Sequence, residues 1–173
     1  MTEIIDLYDN TRRLVCSAER GAEIPSNLNK ISVHVWFVNN EKKFLLQQRV
    51  ATAKKFPNMW GQTGGGAKTG ESSWDTCVRE SVEELGLMPD RNKSVWVGTF
   101  KRPKDFVDVW LVYADSDIND LKLQSSEVQN AKWASLKDIE QMQKDRTFIP
   151  SILPGFQMVN SYLKMLESFN KKS

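Results

Sequence analysis

The stretch "GGGAKTGESSWDTCVRESVEELGL", Gly64 to Leu87, crowds Glu71, Glu80, Glu83 and Glu84 beside three consecutive glycines. Like charges at helical spacing repel, and glycine disfavours regular structure. A bound cation would offset both costs. Carboxylate and backbone carbonyl oxygens are hard donors suited to Mg²⁺ or Mn²⁺, which commonly bridge carboxylates to substrate phosphates. Gly64, Gly65 and Gly66 let the backbone approach a ligand closely and turn its carbonyls inward, and Gly70-Glu71 adds a carboxylate at the entrance of the following helix. Taken alone, a charged helix face is most often a solvated one, and Arg79 could neutralise it. The glycine run before it is what favours a metal site.

These residues need elements to hold them. Helical periodicity appears over 73–85, 136–144 and 156–168. In the first helix, Glu80, Glu83 and Glu84 share one arc, while Trp74, Cys77, Val78, Val82 and Leu85 form the opposing apolar stripe. Ser72 or Ser73 can cap its start, and Gly86 sits where a left-handed C-terminal cap is wanted. Ser135 and Asp138 have capping-box spacing at the second helix. Runs rich in β-branched and aromatic residues predict strands at 4–8, 14–17, 31–38, 44–49, 95–101, 107–113 and 131–134. Asn39-Asn40 reads as a hairpin turn. Strands interrupted by a few helices, without strict alternation, predict an α/β fold with a mixed sheet packed between helices.

With 173 residues, 40% hydrophobic and 27% charged, the chain reads as one domain able to bury a core without disulfide or metal staples. A net charge of +2 is too small for a nucleic-acid groove. The amino-terminal "MTEIIDLYDN" lacks the features of a signal peptide, and no apolar run approaches the ~20 residues of a membrane span. A cytoplasmic location, with no membrane partner, is expected. Cys16 and Cys77 form no CxxC or Cys/His cluster and are expected to be free, buried thiols. A homodimer is compatible with this sequence but not encoded in it.

At the acidic stretch the sequence resembles the Nudix hydrolase family. The family pattern G-x5-E-x7-R-E-U-x-E-E-x-G-U, with U a bulky aliphatic, is met by Gly65, Glu71, Arg79-Glu80-Ser81, Glu83-Glu84 and Gly86-Leu87. Ser81 is the one departure. It lies on the buried stripe, where its hydroxyl is expected to bond back to the Cys77 carbonyl. The segments "FLLQQRVATAKKFPNMWGQTGGG" and "LQSSEVQNAKWASLKDI" extend the likeness toward the branch nearest isopentenyl diphosphate isomerase. The resemblance implies a Nudix α/β/α sandwich with a mixed β-sheet, spanning 1–173 as a single domain with an N-terminal β-hairpin extension.

It also implies a reaction: attack of water on a phosphorus of a nucleoside-diphosphate-linked or related small-molecule diphosphate, assisted by Mg²⁺ or Mn²⁺, with a nucleotide-type substrate favoured over capped RNA by the weak net charge. By resemblance Glu80, Glu83 and Glu84 are metal ligands, with the Gly64 carbonyl a further one, while Glu71 and Arg79 act in the shell around them. Glu127, in "SSEVQNAKW", falls where the family often adds a distant carboxylate; it is the candidate general base, with Glu80 the alternative and an ordinary loop glutamate the plain reading. Isomerase chemistry is the first rival. It needs a C-G-H pattern before the Gly-Glu pair, and Gly64, Gly65 and Gly66 stand there instead. His34, the only histidine, reads as a core residue. A non-catalytic nucleotide sensor is the second rival, although such proteins usually show an eroded acidic box. Arg49, Lys54, Lys55, Lys101, Arg102 and Lys104 are candidate phosphate contacts, and Trp60 or Phe106 candidate stacking platforms. Any of these could equally be structural or solvated.

Overall fold

The two most apolar runs become the central strands. In the computed structural model, which describes residues 2–170 and so leaves the basic Lys171-Lys172 pair outside, β3 (Lys30–Val38) lies parallel to β7 (Asp105–Tyr113). Their register runs from Lys30 opposite Asp105 to Val38 opposite Tyr113. Nearly continuous burial is what a strand covered on both faces requires. β6 (Ser94–Arg102) pairs antiparallel with β7 on the outer side. On the other side β4 (Phe44–Arg49) pairs antiparallel with β3, with β5 (Trp60–Gly61) and with β8 (Val128–Ala134). The sheet is therefore mixed.

Alternation along β3 divides the core in two. Val33, Val35 and Phe37 face α1 (Ser73–Leu85), packing with Leu45, Cys77, Leu85 and Trp110. Trp36 and Val38 face the opposite way, against α2 (Leu136–Lys144) and α3 (Leu153–Asn170), with Phe44, Leu46, Ile139, Phe156 and Val159. One helix covers one face and two cover the other, which makes an α/β/α sandwich.

The amino-terminal hairpin, β1 (Ile4–Tyr8) and β2 (Leu14–Glu19), forms its own two-stranded sheet. A bidentate ion pair from Arg12 to buried Asp108 of β7, at 2.7 and 2.8 Å, ties it to the main sheet. Arg20, just beyond β2, pairs with Glu3 and donates to the Gly66 carbonyl at 3.0 Å.

Several expectations need correction. Cys16 is exposed because β2 turns most of its side chains to solvent; only Cys77 is buried. Val82 is exposed too, so the buried side of α1 is made by Thr76, Cys77, Ser81, Glu84 and Leu85. β5 escapes sequence detection because two residues carry no periodicity. The last helix starts at Leu153, three residues early, since Pro154 is tolerated in a first turn where no intrahelical donor is lost.

Candidate active site

Both ends of α1 are fixed. Ser72 is the cap: its hydroxyl accepts from the Asp75 amide at 3.1 Å, and the Asp75 carboxylate accepts from the Ser72 amide at 2.9 Å. Gly86 closes the other end in the left-handed region, φ 66°. Ser81 donates to the Cys77 carbonyl at 2.7 Å, which satisfies its hydroxyl inside the core. The carboxylates of α1 thus project from a helix with little freedom to slide.

Against that helix lies the glycine segment, running beside β3. Val35 donates to the Thr63 carbonyl and Val33 to the Gly65 carbonyl, both at 2.8 Å. In an extended strand, alternate residues present their backbone groups to opposite sides. Gly64 consequently turns its amide and carbonyl away from β3, and its amide donates to Glu84 Oε2 at 3.1 Å. A Cβ at Gly64 would lie 2.2 Å from the Val33 carbonyl oxygen, and one at Gly65 would lie 2.0 Å from Glu80 Oε1. Only glycine lets the strand, the segment and the helix close this tightly.

Three carboxylates of α1 experience three environments. Glu84 is 3% exposed and accepts from Gln47 Nε2 at 2.9 Å; burial, then the charge of Glu80, pushes its carboxyl up to about 8. Glu80 is half-buried, and burial raises its pKa against the pull of Arg79. Glu83 reaches solvent, its side chain 44% exposed. The expected outward acidic face is therefore corrected at Glu84, which points into the protein. Arg79 is the hub: it pairs bidentately with Glu71 at 2.6 and 3.0 Å, and also with Glu80 at 2.8 Å, Glu83 at 3.0 Å and the Gly66 carbonyl at 3.0 Å. Burial works against ionisation of Glu71, but Arg79 and the Lys68 amide hold it below the usual carboxylate range.

Among the described residues, no three acidic, cysteine or histidine side chains already form a metal cage. The reason is visible: Arg79 occupies oxygens of Glu80 and Glu83, while Gln47 and Gly64 occupy Glu84. The donor set nevertheless suits a hard divalent cation. It consists of the carboxylate oxygens of Glu80, Glu83 and Glu84, the last buried with no cation among the described residues beside it. A cavity of about 270 Å³ opens beside this set, lined by Gly64, Gly65, Gly66, Glu80, Glu83 and Glu127, with Arg79, Lys68, Arg20 and Glu3 completing its wall. The hairpin residues escaped sequence reading because only tertiary packing brings them there.

A second cavity of about 780 Å³ adjoins the first along the same three glycines. Arg49, Lys55, Arg102 and Lys104 line it, as does Lys30, which sequence reasoning missed. Lys54 and Lys101 do not: Lys54 is exposed in the loop after β4, and Lys101 donates to Asn10 and rests over the Phe106 ring. Neither proposed stacking ring lines it either. Trp60 lies under Lys132, and Phe106 is buried beneath Arg12 and Lys101.

The family model of the NUDIX domain matches residues 28–156, from just before β3 through the start of the last helix. The chain belongs to the Nudix hydrolase family. A Nudix hydrolase of Listeria monocytogenes is 29% identical over 84% of this chain and 87% of its own length. An isopentenyl-diphosphate Delta-isomerase of Shigella flexneri is 26% identical over 68% of each. Among solved structures, DR0079 from Deinococcus radiodurans superposes with a TM-score of 0.75, covering 92% of this chain and 99% of that one at 16% identity, a likeness of fold alone. Divalent cations are the usual cofactors of Nudix enzymes. No helix among the described residues is long and apolar enough to cross a membrane.

Proposed function

We propose that this Nudix enzyme is a single domain with a hairpin extension that hydrolyses a small-molecule diphosphate with Mg²⁺ or Mn²⁺. The observation that carries the reading is the meeting of Glu80, Glu83 and Glu127 on one cavity wall, above buried Glu84 and beside an inward Gly64 backbone. Glu80, Glu83, Glu84 and the Gly64 carbonyl would hold the metal. When bound, the metal would screen the phosphate charge, lower the pKa of the attacking water and stabilise the leaving oxygen.

The chain's own residues supply the rest. Water attacks one phosphorus, the bridging P–O bond breaks, and two phosphorylated products leave. Glu127 accepts the proton of that water, with Glu80 the alternative base. The Glu127 backbone is fixed for this role, its carbonyl accepting from the Val50 amide at 3.0 Å and its amide donating to Gln124 at 2.9 Å. Arg79 fastens the glycine segment and Glu71 to α1 and so positions the ligands. A cytoplasmic location fits the two free thiols, Cys16 and Cys77.

Isomerisation finds no support in these residues. Glycines occupy the places of the thiol and histidine, Cys77 is buried with its thiol pushed up to about 12 by burial, and His34 is buried on the α3 side of β3. A panel of diphosphates assayed with Mg²⁺ and Mn²⁺, read by product identity, tests the proposal. Phosphorylated products are expected, together with no conversion of isopentenyl to dimethylallyl diphosphate. Glu127→Gln is expected to lower turnover far more than substrate binding; an unchanged kcat would return Glu127 to an ordinary surface loop.

A further inference from the structure

The larger cavity has the opposite charge to the carboxylate box. Five cationic side chains, Lys30, Arg49, Lys55, Arg102 and Lys104, face a single carboxylate, Asp105. Asp105 is already engaged, accepting from Arg102 at 2.6 Å and from Ser32 at 2.8 Å. Among the described residues the other four cations have no carboxylate within ion-pair distance. Lys30 is half-buried in that company. Crowding unpaired like charges in one concavity costs free energy unless an anion enters.

The scissile diphosphate does not account for these charges, because on the hydrolase reading it sits across the glycine segment, over the carboxylates and their metal. The rest of the substrate must extend past Gly64, Gly65 and Gly66 into the cationic cavity. Its walls say what that part resembles. Phe56 and His34 are the only aromatic rings among the lining residues, so a flat base finds little to stack on. Three lysines and Arg49, none of them matched by a carboxylate among the described residues, call for phosphate.

We infer that the substrate carries, besides its scissile diphosphate, a separate phosphate on a non-aromatic, sugar-like part, held by Lys30, Arg49, Lys55 and Lys104. The inference rests on the hydrolase reading only for where the scissile group lies, and it can be tested without metal or turnover. Titration calorimetry in EDTA would compare glucose 1,6-bisphosphate with glucose 1-phosphate, and adenosine 3′,5′-bisphosphate with AMP. At least tenfold tighter binding of the bisphosphate is expected in the sugar pair. The gap should fall below threefold in Lys30→Gln/Lys104→Gln. It should narrow in Lys55→Gln, whose exposed position makes the substitution harmless to folding. Lys137→Gln/Lys144→Gln, which removes equal charge from α2, should keep it. A gap under tenfold in the sugar pair, absence of binding included, overturns the inference. So does a gap that survives in the cavity variants or disappears in the α2 variant, and so does a preference confined to the nucleotide pair. If the gap behaves as expected while no diphosphate is hydrolysed, the hydrolase reading fails and the phosphate site stands.

Discussion

On one side of the glycine segment stand Glu80, Glu83 and Glu127, with Glu84 buried behind Gly64; on the other stand Lys30, Arg49, Lys55 and Lys104. The acidic side is built on a capped helix, packed through Cys77 and Leu85 and laced by Arg79. The cationic side is built from strand ends and loops, two of whose residues, Phe56 and Lys104, have positive φ values of 53° and 60°. Three of the four acids rest on one rigid element, while the bases are scattered over segments that can change independently. Chemistry shared by a family belongs on the first kind of support, and substrate choice on the second.

The widest separation between the two sides is expected from Glu83→Gln. Glu83 reaches solvent, so the fold should tolerate the change, with a melting temperature in EDTA within about 2 °C of the parent. Hydrolysis should nevertheless fall by about three orders of magnitude, the scale of about 4 kcal/mol lost from transition-state stabilisation. A fall of tenfold or less in steady-state assays would remove Glu83 from the metal site. Gly65→Ala comes next. Its Cβ collides with Glu80 Oε1 at 2.0 Å, so the carboxylate must move, and kcat should drop by about 10- to 100-fold. Lys55→Gln tests the cationic side and should act mainly on KM, by about fivefold, more than on kcat.

The last test reads stability and leaves turnover aside; it concerns His34, which burial, then Arg102, holds at a pKa of about 3. The unfolded chain takes up a proton near pH 6.5 that the folded chain refuses. The stability contributed by neutral His34 is therefore full above about pH 6.5 and is lost as pH falls toward 3, by up to about 1.4 kcal/mol per pH unit. Urea melts of His34→Gln should be shallower in pH over that window by one proton. Identical slopes would mean that the cavity floor accepts charge.

The sequence carried the acidic side well and the cationic side poorly, for a physical reason. Helix 73–85 has period, cap and glycine stop in one continuous stretch, so its bounds were legible. The sheet core was legible for the same reason, since β3 and β7 are long runs rich in β-branched and aromatic residues and β4 opens with Phe44, Leu45 and Leu46. Burial of Glu84 was not, because it depends on Gln47 and Gly64 approaching from other elements. Lys30, Arg20 and Glu3 give no local signal at all; each is one charged residue near a strand end, brought to a cavity by folding. Lys101 and Lys54, which the sequence leaves open between phosphate contact and plain surface, show the converse: one faces the hairpin and the other solvent, which only the folded chain reveals.

Glu84→Gln tests the central claim most directly, because it separates a metal ligand from a structural carboxylate. Melting curves in EDTA and in Mg²⁺ would be set beside the hydrolysis rate. A buried carboxylate without a cation is costly, so the neutral amide should leave the metal-free protein as stable as the parent or more so. Hydrolysis and the Mg²⁺-induced rise in melting temperature should both largely disappear, since stabilisation by a ligand follows its affinity for the folded state. A mutant that melts lower in EDTA and keeps both its activity and its response to Mg²⁺ would show that Glu84 serves the fold and holds no metal.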